Sequence, residues 1–357
     1  MIWKNDITHL LNSEYPIIQA PMFGVTTPEM VVAAADSGCL GSLALADLDA
    51  EKCIDAIQKT KQLTSKPFAV NIFVHNIPPI TDALKTKYAN TKAFVEHLAK
   101  ENNLEVSIPN IEELKINTYH QQIDAIISEN CKILSFTFGN LDKESIDKLK
   151  SNGTILIGTC TSVNEAMILE KSGIDIICVQ GLEAGGHRGS FVPEDIPEIG
   201  GFSLLAKVNQ AVNTPIIYGG GIYNAQTLLA SKTLGAQGYQ IGSLLLGSAE
   251  SAFNEFEKKR LRKVTEADII LTKSFSGRFA RGMRNTFIEA TEYSDFILPY
   301  PYQNKLTAEL RRVAKEHKNA EFVNIWVGQS INDYSPQSTG SILKNLVKQS
   351  EIIASKG

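Results

Sequence analysis

A chain of 357 residues, 43% apolar and 21% charged, is long enough for one large domain or two ordinary ones and can bury a sizeable core. Its formal net charge of -4 argues against nucleic-acid binding, which asks for a basic face; the one basic cluster, Glu257 to Lys263, reads as the solvated face of a helix. No apolar run approaches membrane-spanning length, and the N-terminus has charges where a signal peptide is apolar. Five cysteines (Cys39, Cys53, Cys131, Cys160, Cys178) form no CxxC pair and read as small core residues of a reducing, cytoplasmic compartment.

In chain order, short runs rich in β-branched and aromatic residues alternate with helical segments. The runs are YPIIQA (15–20), LGSLAL (40–45), PFAVNIF (67–73), KILSFTF (132–138), GTILIGT (153–159), IDIICVQ (174–180), TPIIYG (214–219) and GYQIG (238–242). Most are continuously apolar, as parallel strands buried on both faces are. The first intervening helix has Thr27 as N-cap and Pro28 at its first position; a later one has the capping-box pattern Ser162-x-x-Glu165, and another starts at Asn224. Eight strand–helix units predict an α/β fold, a (β/α)8 TIM barrel, with a doubly wound open sheet as the competing arrangement. The expected division is a barrel over 1–262 and an extension over 263–357 that packs on the barrel and covers the active site. That extension is helical near 305–317 and 340–354. A polar, helical insertion after the third strand, 76–130, is expected to lie over the barrel mouth.

Barrel active sites lie at the C-terminal ends of the strands. Here those ends are Ala20-Pro21-Met22, Asn71, Ser135 to Gly139 (with Thr137), Thr159 to Ser162, Gln180 to Gly189, Gly219 to Ile222 and Gly242-Ser243. The mouth is thus rich in amides, hydroxyls and glycines and poor in carboxylates, which suits a neutral or anionic ligand better than a metal ion. Gly219-Gly220-Gly221 followed one unit later by Gly242-Ser243 points to a phosphate site, because loops after the last two strands expose backbone N–H groups beside helix N-termini. Asn71 and Gln180 are candidate amide partners for the polar edge of a flat ring. Of six histidines only His187 falls at a strand end, in VQGLEAGGHRGSF, where flanking glycines allow close approach to a ligand. Glu183 in the same loop either orients His187 or supports the turn. No GxSxG elbow is present, and no cysteine stands beside a base, so a nucleophilic triad is not expected.

On the segments IIQAPMFGVTTPEM, NIFVH, SFTFG, GTCTSVNEA, VQGLEAGGHRGSF, PIIYGGGI, QIGSLLL, SFSGRFARGMRN, PYPYQNKLT and WVGQS, in this order over nearly the full length, the chain resembles the nitronate monooxygenases of class I. The resemblance implies FMN as cofactor, bound by Asn71, Gln180, Gly185, Gly221 and the run Gln240-Ile241-Gly242-Ser243, with Ala20, Pro21, Met22 and Gly220 beside it. His187 matches the family's active-site histidine. The implied reaction is oxidation of an alkyl nitronate, such as propionate 3-nitronate, by O2 to a carbonyl compound and nitrite, through a flavin semiquinone. His187 then holds the anion or takes the α-proton of a neutral nitroalkane. The competing functions are an enoyl-thioester reductase of the same superfamily, using FMN and NAD(P)H, and a flavin-binding protein without nitronate turnover. Tyr218 stands where the family has a small residue and Thr137 where some members have a second histidine; Tyr300 and Tyr302 resemble aromatic residues that close over the substrate. No metal, nucleic acid or membrane is implied, and the assembly expected is a monomer or homodimer.

Overall fold

The computed structural model describes residues 2–194 and 196–356. All eight expected strand runs form strands: β1 (Ile17–Gln19), β2 (Gly41–Ala46), β3 (Phe68–Phe73), β4 (Ile133–Thr137), β5 (Ile155–Cys160), β6 (Ile176–Gln180), β8 (Ile216–Gly219) and β9 (Gly238–Ile241). They pair in parallel in the order β1-β9-β8-β6-β5-β4-β3-β2. Between β1 and β2 a single bridge, Ile18 to Leu40, closes the ring. Beyond it the ladder opens, and the buried Gln19 bridges the opening: its Oε1 accepts from the Ser42 N–H at 3.0 Å. A side-chain amide thus satisfies a backbone donor that the missing ladder leaves free. The architecture is a nearly closed TIM barrel.

The barrel interior is a packed core, not a pore. Ile18, Leu40, Ala69, Ile133, Ile157, Ile176, Cys178 and Ile217 meet there, and Ile7 and Leu11 of the short helix Asp6–Leu11 join them. A second core lies between the strands and the outer helices. The predicted caps form in part. Thr27 Oγ1 accepts from the Met30 N–H at 3.1 Å, and Asn224 and Thr227 make a reciprocal box. At Ser162 only half of the box exists: Ser162 accepts from the Glu165 N–H, but the Glu165 carboxylate turns instead to the N–H groups of Thr161 and Phe191. It ties the fifth strand end to the loop after β6.

After β3 the chain forms helix Asp82–Glu101, a short turn at Ile111–Glu113 and helix Tyr119–Ser128. The last of these packs on the outer helices Ala50–Leu63 and Lys143–Ser151, whereas Asp82–Glu101 packs on helix Tyr302–Glu316 from the C-terminal part. Tyr302 donates to the Pro78 carbonyl, and Phe94 stacks on Phe296 at 4.3 Å between centroids, so the two additions share one apolar core. The C-terminal part also holds strands, β10 (Ile269–Thr272) and β11 (Ala280–Met283), in antiparallel order β10-β11-β7, where β7 is Gly186–His187. Its final helix, Thr339–Ala354, packs between Ala225–Thr233 and Pro28–Asp36, filling the outer-ring place next to the first helix. No helix among the described residues is long and apolar enough to cross a membrane.

Candidate active site

The C-terminal strand ends surround a cavity of about 660 Å³. Ala20, Pro21, Met22, Asn71, Thr137, Gln180, Gly185, His187, Gly220, Gly221, Gln240, Gly242, Ser243 and Tyr300 all line it. Two expected residues do not. Ile241 is fully buried, alternating away from the cavity on β9, and contributes its carbonyl to the Ala20 N–H. Tyr302 is fully buried against the insertion, with its hydroxyl spent on Pro78. Cavity-lining residues without a sequence signal include Asp47 and Arg311, and Trp326 enters through the segment WVGQS, whose sequence assigned it no role.

His187 reaches the cavity because β7 pairs with β11, Ala280 opposite His187. Its Nε2 lies 2.8 Å from Ser276 Oγ, and that hydroxyl donates to the Arg278 carbonyl at 3.0 Å. The hydroxyl's only proton is thereby used, so Nε2 is the donor and Nδ1 carries the lone pair. Nδ1 has no hydrogen-bond partner among the described residues. Rings of Phe138, Phe73, Trp326 and Tyr300 stand 5.5, 6.1, 5.6 and 6.4 Å from the imidazole, centroid to centroid. Burial among them, then the positive charges of Arg278 and Arg311, lower the His187 pKa to about 3. Phe138 sits at φ 80, a strained conformation for an aromatic residue, with the Arg278 guanidinium carbon 4.1 Å from its ring centroid. Tyr300 is buried, and its hydroxyl has no partner among the described residues. Arg311 lines the cavity, and its hydrogen bonds among the described residues go to neutral acceptors of Thr307, Asn304 and Asn324.

The other end of the cavity is backbone. Gly220 and Gly221 have φ 137 and 68, open to glycine but strained for any other residue, and both line the cavity with backbone alone. Ser243 Oγ accepts from the Gly328 N–H at 2.8 Å, which leaves the hydroxyl proton free. Asn71 Nδ2 donates to Ser135 Oγ at 2.8 Å, leaving its carbonyl oxygen as an acceptor. Gln180 has a different job from the one its position suggests. Its Nε2 donates to the His187 carbonyl at 2.9 Å, and its Oε1 accepts from Arg188 and the Gly189 N–H at 3.0 and 2.8 Å. The carboxamide thus fastens the loop that carries His187. Glycines where backbone faces the cavity, free hydroxyl and amide groups and few carboxylates fit an elongated anionic cofactor with a flat polar ring. Among the described residues no group of three or more His, Cys, Asp or Glu could hold a metal ion.

The family model for nitronate monooxygenase matches residues 4–349. The chain belongs to that family. Two probable nitronate monooxygenases of Staphylococcus aureus, from strains Newman and N315, are each 38% identical over 349 residues, 97% of both chains. A solved nitroalkane oxidase from Streptomyces ansochromogenes superposes with a TM-score of 0.88 at 29% identity, over 99% of each chain. FabK from Thermotoga maritima is similar at a TM-score of 0.76 and 25% identity, over 99% of this chain and 98% of that one. The nitronate monooxygenase family member described here is therefore an enzyme, an oxidoreductase of the flavin-dependent kind.

Proposed function

We propose that the enzyme binds FMN and oxidises alkyl nitronates, such as propionate 3-nitronate, with O2 to a carbonyl compound and nitrite. The observation that carries this reading is His187: an oriented imidazole with a free Nδ1, in an aromatic pocket under the field of Arg278 and Arg311. Such a pocket favours a small organic anion. Aromatic walls strip its water, while Arg311 at the wall and Arg278 behind Phe138 supply a positive field that outweighs Asp47.

Bound FMN supplies the electron acceptor. The chain does the rest. Gly220, Gly221 and Ser243 would hold the phosphate, and Asn71 and Gln240 would hold the polar edge of the ring. Gln180, through the His187 carbonyl, fixes the loop that carries the imidazole and so would position His187 toward the bound flavin. When a nitronate enters beside Nδ1, its negative charge offsets the arginine field and raises the affinity of Nδ1 for a proton. His187 then holds the anion by a charge-assisted hydrogen bond. The unpartnered Tyr300 hydroxyl is a second donor toward the same group. Small-molecule substrate and O2 are the only partners this chemistry requires, and five buried free cysteines suit a reducing cytoplasm.

The test is direct. FMN-loaded protein is mixed with propionate 3-nitronate in air while nitrite and oxygen are followed, then treated anaerobically with NADPH. Nitrite release with oxygen uptake is expected. Rapid bleaching of the flavin by NADPH without nitrite from nitronate overturns the reading in favour of an enoyl-thioester reductase, and neither response leaves a flavin-binding protein without this turnover.

A further inference from the structure

Tyr218, fully buried, and Glu183, half-buried at the cavity wall, form a pair outside the mechanism above. Tyr218 and Gly219 are adjacent on β8, so they point to opposite faces: Gly219 lines the cavity, and the Tyr218 ring is fully buried in the helix layer, beside Phe202. The Tyr218 hydroxyl donates to Glu183 Oε1, and Glu183 Oε2 accepts from the Gly201 N–H at 3.1 Å, at the start of helix Gly201–Ala211. Three glycines make the room. A Cβ on Gly201 would lie 1.9 Å from the Tyr218 hydroxyl, one on Gly181 2.6 Å from it, and one on Gly221 3.0 Å from Glu183 Cγ. From the backbone of Glu183 the connection continues: its carbonyl accepts from the Gln329 N–H at 3.0 Å, next to Gly328, whose N–H holds Ser243.

We propose that Tyr218 and Glu183 are positioning residues that hold the loop Gly181–His187, Gly221 and the segment Trp326–Ser330 at the spacing the flavin requires. The proposal rests on the flavin reading of the cavity. Glu183 touches all three walls: it belongs to the loop, its Cγ packs at Gly221, and its backbone carbonyl accepts from the Gln329 N–H; among the described residues the Tyr218 phenol is the one side-chain donor to its carboxylate. Burial and the neighbouring carboxylate push the phenol well above its ordinary range, so it remains a donor at any working pH. Neither residue touches the reacting atoms.

The variants are Tyr218→Phe, Glu183→Ala and the double substitution. FMN affinity is measured by quenching of flavin fluorescence, and the thermal midpoint is measured on each flavin-free protein. Tyr218→Phe keeps the ring and is expected to weaken FMN by about tenfold, the loss of one hydrogen bond to a charged acceptor. The double variant is expected to bind no more weakly than Glu183→Ala, because the two residues act as one unit. FMN binding within about twofold of the parent in Tyr218→Phe, with only the thermal midpoint lowered, overturns the proposal, as do losses that multiply in the double variant. Should Tyr218→Phe not fold, Glu183→Met gives the reading instead: of similar length, it leaves the Gly201 N–H and the Tyr218 hydroxyl without their acceptor, and it too must weaken FMN. Failure of the parent protein itself to bind FMN counts against the flavin reading, a result separate from the behaviour of the pair.

Discussion

His187 is held neutral until something negative arrives. With its pKa lowered to about 3, the imidazole is a poor base toward a neutral nitroalkane, and a substrate that enters already ionised is the better match. His187→Asn is expected to keep FMN bound, since the ring is not part of the glycine end, and to lower nitrite release by about a hundredfold or more. The flavin-to-protein absorbance ratio and the nitrite assay check this together; loss of flavin would make His187 a cofactor residue. Ser276→Ala frees the imidazole to adopt either tautomer and is expected to lower kcat by about three- to tenfold with FMN affinity unchanged. His187 was legible in the sequence because it is the one histidine at a strand end, between glycines. Ser276 was not, since it lies 89 residues away and only the β7–β11 pairing brings it close. Gln180 was legible as a cavity residue, but its work on the His187 loop depends on a fold-back of nine residues that no periodicity reports.

The eight strands were legible because continuous apolar runs between glycines and prolines have one economical use, a parallel barrel. The partners of the later elements were not. An amphipathic pattern shows that Thr339–Ala354 has a face to bury, but only the fold shows that this face packs on helices Ala225–Thr233 and Pro28–Asp36. The strand pair β10 and β11 reads poorly in sequence, since the second of them, Ala280–Met283, contains Arg281 and Gly282. Likewise WVGQS carries no local signal of its role, yet it lies against loops from three other parts of the chain. Gly328 is its tightest point: a Cβ there would stand 2.8 Å from the Glu183 carbonyl, 3.0 Å from the Gly185 nitrogen and 3.2 Å from Ser243 Oγ. Backbone cannot give way as a flexible side chain does. Gly328→Ala is therefore expected to push the segment off the cavity, costing about 1–3 kcal/mol of stability and weakening FMN by about tenfold or more. Chemical denaturation and fluorescence titration read the two effects separately.

Taken as one molecule, the enzyme keeps two histidines neutral at the junction of barrel and extension. Burial lowers His187 to about 3 and His75 to about 4, and among the described residues neither ring nitrogen of His75 has a hydrogen-bond partner. His75 meets Tyr300 edge to face at 4.6 Å between centroids, so both rings lie where the insertion, the barrel and the C-terminal part converge. In the unfolded chain each titrates near pH 6.5. Between that value and the folded one the unfolded state binds more protons, so stability falls as pH falls, by up to about 1.4 kcal/mol per pH unit for each group. The depressed carboxylates, Asp142 among them, add their loss only below roughly pH 4.5, and the raised tyrosines and cysteines act only above roughly pH 8.5. The window from pH 6.5 to 4.5 thus belongs to the histidines. Denaturation of the flavin-free protein is expected to show stability declining across that window, and His75→Gln is expected to flatten the slope by close to half while His187→Asn removes most of the remainder. A stability flat from pH 7 to 5 in the parent would mean that both imidazoles find water and charge freely, and that the pocket is wetter than its rings suggest. Adding FMN and a nitronate should flatten the decline as well, since an anion beside Nδ1 raises the folded pKa of His187 toward its unfolded value and stabilises the bound form.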